Sequence, residues 1–455
     1  MRVIKKIKLK DKNITIIGMG ETGQGAAILA KQLGANVLIS DSNEIREKTF
    51  HQKAHKLGIK VETGGHTSKI YNSDLWILSP GVPNNLDIVK NASDKKISII
   101  SEVEFASWFT NKPIIGVTGS NGKTTTVNII NSILYASSLS PVLTGNMGYA
   151  FSRAILNDIT KCDENRIYIV ELSSFQLENI NSFKPFISIL LNITPDHQDR
   201  YETMEKYIEA KMNIAINHDM KSHLLYNSDD NILVENCKNL NAKKTGFGLK
   251  NNSENMLKID GSHIQIGKTK LASIDSISLK GMHNLSNILA AVTAAKILNV
   301  SNECIAKVLP DLRGIEHRLE KVSVIEGVAY YNDSKATNIE SVIAAIQSFA
   351  KPIILILGGE DKNTNFNSLT PFINNNIKKI VSYGKANNKI SIALRDAVEL
   401  KKVFSLRDAV DECKKSAVSG DVILLSPGCA SFDQFRNYEH RGNEFKKIVK
   451  NVVYA

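Results

Sequence analysis

The chain has 455 residues, 42% hydrophobic and 23% charged, with a formal net charge of +11. This length suggests about three domains, and the composition is that of a globular protein able to bury several cores. Outside a basic cluster at Lys5, Lys6, Lys8, Lys10 and Lys12 the positive charge is scattered, and few aromatic residues interleave with it. That pattern argues against a nucleic-acid surface and suits a pocket for an acidic, phosphorylated substrate. The five cysteines form no CxxC pair and read as reduced thiols. Ile14-Thr15-Ile16-Ile17 is too short for a signal-peptide core, and no apolar run approaches the ~18 residues of a membrane span. A cytoplasmic protein without a membrane partner is expected.

Residues 1–110 read as the first α/β segment. An apolar strand, Asn13 to Ile17, runs into Gly18-Met19-Gly20-Glu21-Thr22-Gly23, a helix follows, and a second strand ends at Asp41. Taken alone, this is the dinucleotide fingerprint with an acidic residue near the ribose position, so an NAD-dependent dehydrogenase is a rival reading. The glycines, however, require only a close approach of backbone to phosphate, which any nucleotide diphosphate satisfies. A buried strand, Asp74 to Leu78, ends in the turn Ser79-Pro80-Gly81-Val82-Pro83, which is either a plain turn or a second set of N–H groups facing phosphate. Asn111-Lys112-Pro113 reads as a linker.

In residues 111–312 the apolar strand Ile114 to Thr118 feeds Gly119-Ser120-Asn121-Gly122-Lys123-Thr124-Thr125 and a helix. Small residues in such a loop let backbone N–H groups reach phosphate oxygens. The lysine neutralises charge, and the first threonine offers its hydroxyl to Mg²⁺. The common spacing would need glycine at 117, where Val117 stands. Gly145-Asn146 lies in a polar turn. Glu171 ends a strand at the sheet edge where Mg²⁺-ATP needs a carboxylate, and the next strand, Phe186 to Leu191, ends in a polar cluster holding Asp196, His197 and Arg200. On the helix from Thr203 to Asn217, Lys211 has Tyr207, Ile208, Ile214 and Ala215 as helical neighbours. A lysine on an apolar face either snorkels or has a partner. Residues 220–280 are strand-like without evident chemistry. Gly281 to Asn287 opens an alanine-rich helix, where polar groups suit either a ligand or capping.

Residues 313–455 alternate strands and helices, as in a parallel, doubly wound sheet. Polar residues stand at the strand ends: Asn332-Asp333-Ser334-Lys335-Ala336-Thr337-Asn338, Gly358-Gly359-Glu360-Asp361-Lys362, and Ser426-Pro427-Gly428-Cys429-Ala430-Ser431-Phe432-Asp433-Gln434-Phe435. In such sheets the carboxyl ends of the strands carry the site.

These motifs together resemble the Mur ligase family over nearly the whole chain. The most specific are Thr118 to Thr124, Glu171 to Glu178, His317 to Glu320, Asn332 to Asn338 and Ser426 to Phe435, and the last two point to its glutamate-adding member. The resemblance implies three domains: a Rossmann-like UDP-substrate domain (1–110), a P-loop ATP-binding domain (111–312) and a Rossmann-like amino-acid domain (313–455). The implied reaction is ATP-dependent addition of D-glutamate to UDP-N-acetylmuramoyl-L-alanine through an acyl phosphate, in peptidoglycan synthesis, by a monomer. A sister Mur ligase or a folylpolyglutamate-synthase-like ligase is the alternative.

The resemblance also implies residue roles. ATP would be held by the loop from Gly119 to Thr125 and by Asn287, Arg318 and Asp333, with His283 and Asn284 nearby. Two Mg²⁺ ions would fall to Thr124, Glu171, His197 and a carbamylated Lys211. UDP would lie on Gly18, Gly20, Thr22, Gly23, Ser79 and Gly81 with Asp41 near the uracil, and Asn146 would touch substrate. Lys335, Thr337, Lys362, Ser431 and Phe432 would form the amino-acid site. In two places the chain departs from some members: no arginine follows Asp41, and Tyr438 stands where they have phenylalanine.

Overall fold

Runs of β-branched and aliphatic residues bounded by glycine and polar turns build three large sheets, two of them wholly parallel. The computed structural model describes residues 8–44, 48–146, 149–159, 163–196, 200–312, 316–361 and 364–452. The first sheet has strands β1 (Asn13–Ile17), β2 (Asn36–Asp41), β3 (Lys60–Thr63), β4 (Leu75–Leu78) and β5 (Ser98–Ser101), ordered β3-β2-β1-β4-β5 and all parallel. The order reverses between β1 and β4, and crevices at such switch points receive ligands. Gly18 leaves β1 at this point and Ser79 leaves β4.

The second sheet is built from β6 (Ile114–Thr118), β7 (Ser140–Gly145), β8 (Arg166–Glu171), β9 (Ile187–Leu190), β10 (His223–Asn227) and β11 (Lys243–Phe247), ordered β11-β10-β9-β6-β8-β7 and also parallel. β6 is buried along its whole length between β8 and β9. The phosphate loop therefore emerges beside Glu171 on one side and the 192–196 segment on the other. An antiparallel three-stranded sheet, β12 (Leu257–Asp260), β13 (His263–Ile266) and β14 (Thr269–Ser273), accounts for the turn-rich 250–275 stretch.

The last sheet holds β15 (Glu320–Ile325), β16 (Val328–Asn332), β17 (Ile353–Gly358), β18 (Ile377–Tyr383), β19 (Leu400–Lys402) and β20 (Val422–Leu425), ordered β15-β16-β20-β17-β18-β19. Its central strands β17 and β20 bury both faces by simple alternation. Ile353, Leu355, Leu357, Val422 and Leu424 pack into one apolar cluster, while Ile354, Ile356, Ile423 and Leu425 pack into another. One expectation is corrected here: β15 runs antiparallel to β16, so the sheet is mixed. The two-residue connection Glu326-Gly327, with both residues at positive φ, makes a hairpin and leaves no room for a crossover.

By contacts the chain forms two compact units. One comprises residues 1–277 and 285–311, and the other 278–284 and 312–455. A single apolar cluster runs through the first two sheets, and Phe105, Ala106, Phe151, Ile155 and Tyr168 all belong to it. Two buried glutamates of helix Glu102–Ser107 cross between these sheets. The Glu104 carboxylate accepts from the backbone N–H groups of Asn181, Ser182 and Phe183, from Ser182 Oγ and from Trp108 Nε1. Glu102 accepts from the N–H of Ser152, in the first turn of helix Phe151–Ile159, and its Oε2 has no hydrogen-bond partner among the described residues.

Burial pushes the Glu102 carboxyl up from 4.5 to about 7, and nearby Glu21 adds to the rise. Between those values the folded chain holds a proton that the unfolded chain has lost, so this group's contribution to stability is lost as pH rises through the window. We expect Glu102→Gln to gain on the wild type from pH 4.5 to 7, by up to about 3 kcal/mol, with a constant gap above. Urea midpoints across that range check this, and parallel pH curves would contradict it.

Candidate active site

Backbone geometry shapes the phosphate loop first. Gly122 has φ 87°, and a Cβ there would stand 2.4 Å from Asn287 Oδ1. Glycine thus serves both the left-handed turn and the approach of Asn287. The following segment of β9 holds the loop from the other side. Asn121 N donates to Asn192 Oδ1 at 2.8 Å, Asn192 Nδ2 donates to Asn121 O at 3.0 Å, and Ser120 Oγ donates to Thr194 O at 2.9 Å. Lys123 opens helix Lys123–Ala136 and folds back to donate to Gly119 O at 2.6 Å and Ser120 O at 2.8 Å. Thr124 and Thr125 are buried in the first turn, and Thr125 Oγ1 has no hydrogen-bond partner among the described residues.

Lys211 is 1% exposed, so the apolar-face lysine does not snorkel. Its Nζ donates to Gly119 O at 2.9 Å, the same carbonyl that Lys123 uses, and lies 4.5 Å from the centre of the Tyr207 ring. Burial, reinforced by Lys123 and partly opposed by Asp196, holds its ammonium well below the ordinary lysine range. Glu171 ends β8, buried, with Oε1 accepting from Asn146 Nδ2 at 3.2 Å. Its Oε2 is buried without a hydrogen-bond partner among the described residues. An orphan carboxylate oxygen beside a phosphate loop fits a cation. His197 lies outside the described residues. Among those described, no three His, Cys, Asp or Glu side chains cluster as a metal site, so the fit rests on Glu171 and the loop hydroxyls.

At the first sheet's switch point, Ser79 Oγ donates to Gly18 O at 3.0 Å. A Cβ on Gly18 would stand 2.7 Å from Ser79 Cβ, and one on Gly23 2.0 Å from Gly18 O. Gly20 caps helix Glu21–Gln32 with no side-chain cap bond, and Gly20 and Gly81 both face open space. Thr22 is half-buried in the first turn. Asp41 shapes the loop itself, as its Oδ2 accepts from Met19 N at 2.7 Å and its Oδ1 from Asn43 N at 2.9 Å.

In the second compact unit His283, Arg318, Leu319, Asp333, Lys335 and Ala336 line one small cavity. Asp333 Oδ1 accepts from Leu319 N at 3.1 Å and Oδ2 from Ser426 Oγ at 2.8 Å. Burial nevertheless raises its carboxyl to about 7, with Ser426 and Arg318 opposing. Burial and then Arg318 lower His283 to about 4, leaving it neutral near pH 7. Lys335 lies over the Tyr438 ring, 5.2 Å from its centre. Thr337 is half-buried, Ser431 is buried, and Phe432 is 63% exposed. Lys362 lies outside the described residues, and Asn287 belongs to the first unit.

Sequence reasoning missed Arg441. It is fully buried, and its guanidinium donates to Ser334 Oγ (2.9 Å) and to the carbonyls of Ser334 (2.8 Å), Cys429 (3.1 Å) and Ala430 (3.3 Å). It ties together the loops after β16 and β20. Its helical neighbours Tyr438 and Phe445 were the available signal, of the same kind that marked Lys211.

Comparison with known proteins finds three family models matched along the chain. Residues 13–88 match the MurD N-terminal domain, 117–295 the Mur ligase middle domain, and 317–429 the Mur ligase glutamate ligase domain. The chain belongs to the Mur ligase family, and it is an ATP-dependent ligase of peptidoglycan-precursor synthesis. A Christiangramia forsetii protein named UDP-N-acetylmuramoylalanine--D-glutamate ligase is 38% identical over 97% of this chain and 100% of that one. A Salinibacter ruber protein of the same name is 34% identical over 96% and 98%. Among solved structures, the UDP-N-acetylmuramate-alanine ligase of Thermotoga maritima shares the fold at TM-score 0.60 and 18% identity, covering 97% of this chain and 100% of its own. The MurF ligase of Thermotoga maritima, in complex with ADP, also reaches TM-score 0.60, at 15% identity, covering 99% and 98%.

Gly122→Ala forces Cβ onto Asn287 and strains the left-handed turn. We expect KM for ATP to rise about tenfold or more with the fold retained. An unchanged KM would show that the loop tolerates a side chain.

Proposed function

We propose that the chain joins D-glutamate to UDP-N-acetylmuramoyl-L-alanine, with cleavage of ATP to ADP and phosphate. The observation that carries this reading is the set of polar clusters at the carboxyl edges of three sheets, each matched by one of the family's domains. Full-length relatives bearing that name support the choice of amino acid. The proposed domains are residues 1–110 for the UDP substrate, 111–312 for ATP and 313–455 for the amino acid. Segment 278–284 packs with the third. One chain carries all three clusters, which supports a monomer. No helix among the described residues is long and apolar enough to cross a membrane, and we place the enzyme in the cytoplasm, where ATP is supplied.

In this reading the substrate carboxylate attacks the γ-phosphorus of ATP and ADP leaves. The D-glutamate amine then attacks the acyl phosphate carbon, and the tetrahedral intermediate expels phosphate to leave an amide. Both partners of the first step are anionic, so the chain must neutralise them. Lys123 and the N–H groups of Gly119 to Thr125 serve the phosphates. Mg²⁺, when bound, would neutralise phosphate charge, held by Thr124, Glu171, His197 and Lys211 as its carbamate. The lowered pKa of Lys211 favours the neutral amine, which adds to CO₂ to give an N-carboxylate and a proton. Asn287, Arg318 and Asp333 contact the nucleotide, with His283 and Asn284 beside it. Gly18, Gly20, Thr22, Gly23, Asp41, Ser79 and Gly81 receive UDP, and Asn146 touches the acceptor. Lys335, Thr337, Lys362, Ser431 and the backbone at Phe432 hold the two carboxylates of glutamate.

ADP release is expected only when UDP-N-acetylmuramoyl-L-alanine, D-glutamate and Mg²⁺ are present together. Release that persists without the amino acid, or equal use of L-glutamate, would overturn the reading. Lys211→Ala is expected to lower kcat at least about 100-fold, with bicarbonate restoring part of it. Full activity without additive would remove the carbamate from the mechanism.

A further inference from the structure

Arg200 lies just beyond the candidate ligand His197, yet its side chain reaches the first sheet. It forms a largely buried pair with Glu178, with side-chain exposures of 13% and 12%. Arg200 Nε and Nη2 donate to the two Glu178 oxygens at 3.2 and 2.7 Å. The rest of the fork turns to backbone, with Nη1 donating to Pro80 O at 3.0 Å and Nη2 to Val82 O at 3.3 Å. The guanidinium lies over the Phe175 ring, 4.2 Å from its centre. Glu178 is held in turn by Tyr201 Oη at 2.6 Å and Asn84 Nδ2 at 2.9 Å. One guanidinium thus joins the Ser79–Pro83 turn, the segment that runs from Glu171 to Glu178, and the segment that follows His197.

We propose that Arg200 is a positioning residue that fixes the Ser79–Pro83 turn against the Glu171 edge of β8, and so sets the acceptor carboxylate in line with the γ-phosphate. The proposal rests on reading that turn as part of the UDP-substrate site. A bonding pattern of this kind is directional. Two parallel N–H groups take the carboxylate while the others take two carbonyls, and a lysine ammonium cannot reproduce that fork. A buried ion pair need not add stability over an apolar replacement, whereas a fork spanning three segments fixes their spacing. Misalignment of reacting groups by an ångström lowers rate far more than it lowers binding.

The test compares wild type, Arg200→Lys and Glu178→Gln for kcat, for Kd of ATP and of UDP-N-acetylmuramoyl-L-alanine, and for Tm. Arg200→Lys is expected to bind both ligands within about threefold of wild type while kcat falls about 30-fold or more. Glu178→Gln should lose about tenfold in kcat, and the double variant should be no worse than Arg200→Lys, as members of one unit are non-additive. An unchanged kcat, or a loss of Tm and of both affinities with kcat intact at saturation, would overturn the proposal. If Arg200→Lys does not fold, Glu178→Gln decides by the same criteria. A wild type whose ADP release ignores the UDP substrate would fail the functional reading itself. A substrate-dependent wild type with a fully active Arg200→Lys would fail only this proposal.

Discussion

The carbonyl of Gly119 accepts from two lysine side chains, Lys123 at 2.6 Å and Lys211 at 2.9 Å. Two cations on one oxygen would repel strongly where water is scarce, and burial together with Lys123 therefore favours the neutral amine of Lys211. The arrangement holds because the loop around it is fixed by neutral groups: Asn192 on Asn121, Thr194 on Ser120, and Asn287 against Gly122. Protein groups therefore shape the loop, and the charge of Lys123 is what an anionic ligand neutralises. The orphan oxygen of Glu171 has the opposite need. A half-buried Lys123 and a buried unsatisfied carboxylate oxygen border the same loop, a setting that suits a phosphate and its counter-cation.

The second compact unit solves its own strand-edge problem in a related way. Arg441, fully buried, spends its donors on a hydroxyl and on loop carbonyls. Such a residue fixes loops and also leaves a positive field at the sheet edge. Asp333 stands in that field and beside Arg318, yet burial still raises its carboxyl to about 7. Desolvation thus outweighs two nearby guanidinium charges, so the Asp333 carboxyl hydrogen-bonds Leu319 and Ser426 in a mixture of charged and neutral forms near neutral pH.

Much of this was legible in sequence, and the reason is local. β1, β4, β6, β9 and β20 are short apolar runs ended by glycine or polar turns, and the site residues follow them directly along the chain. The strands that escaped reading, β3, β7 and β19, are all sheet edges. With one side unpaired they carry polar residues, and Pro141 sits in β7 because an edge tolerates a missing N–H. The antiparallel β15 escaped because strand direction is not written in residue type. The pairings of Arg200, Glu104 and Arg441 escaped for a different reason. Each residue meets partners about 80 to 120 positions away, and nothing in the local spacing records such a pairing. Lys211 could be flagged because its anomaly was local, an ammonium among apolar helical neighbours. Its partner, the Gly119 carbonyl, could not be named from sequence.

The first glycine loop shows what a motif does and does not specify. G-x-G-x-x-G alone suggests a dinucleotide, with the acid at the end of β2 on the ribose. Here the Asp41 carboxylate accepts the N–H groups of Met19 and Asn43, one on each oxygen. Its first task is to hold the loop, and any ribose or base contact must use the lone pairs that remain. Gly18 and Gly23 are required by Ser79 and by the loop's own carbonyl, at distances no side chain would permit. None of these constraints involves a nicotinamide. The motif encodes an approach of backbone to phosphate, and the identity of the nucleotide is set by what lies beside it. In this chain the neighbour is the Ser79 turn, tied through Arg200 to Glu178 in the segment that follows Glu171.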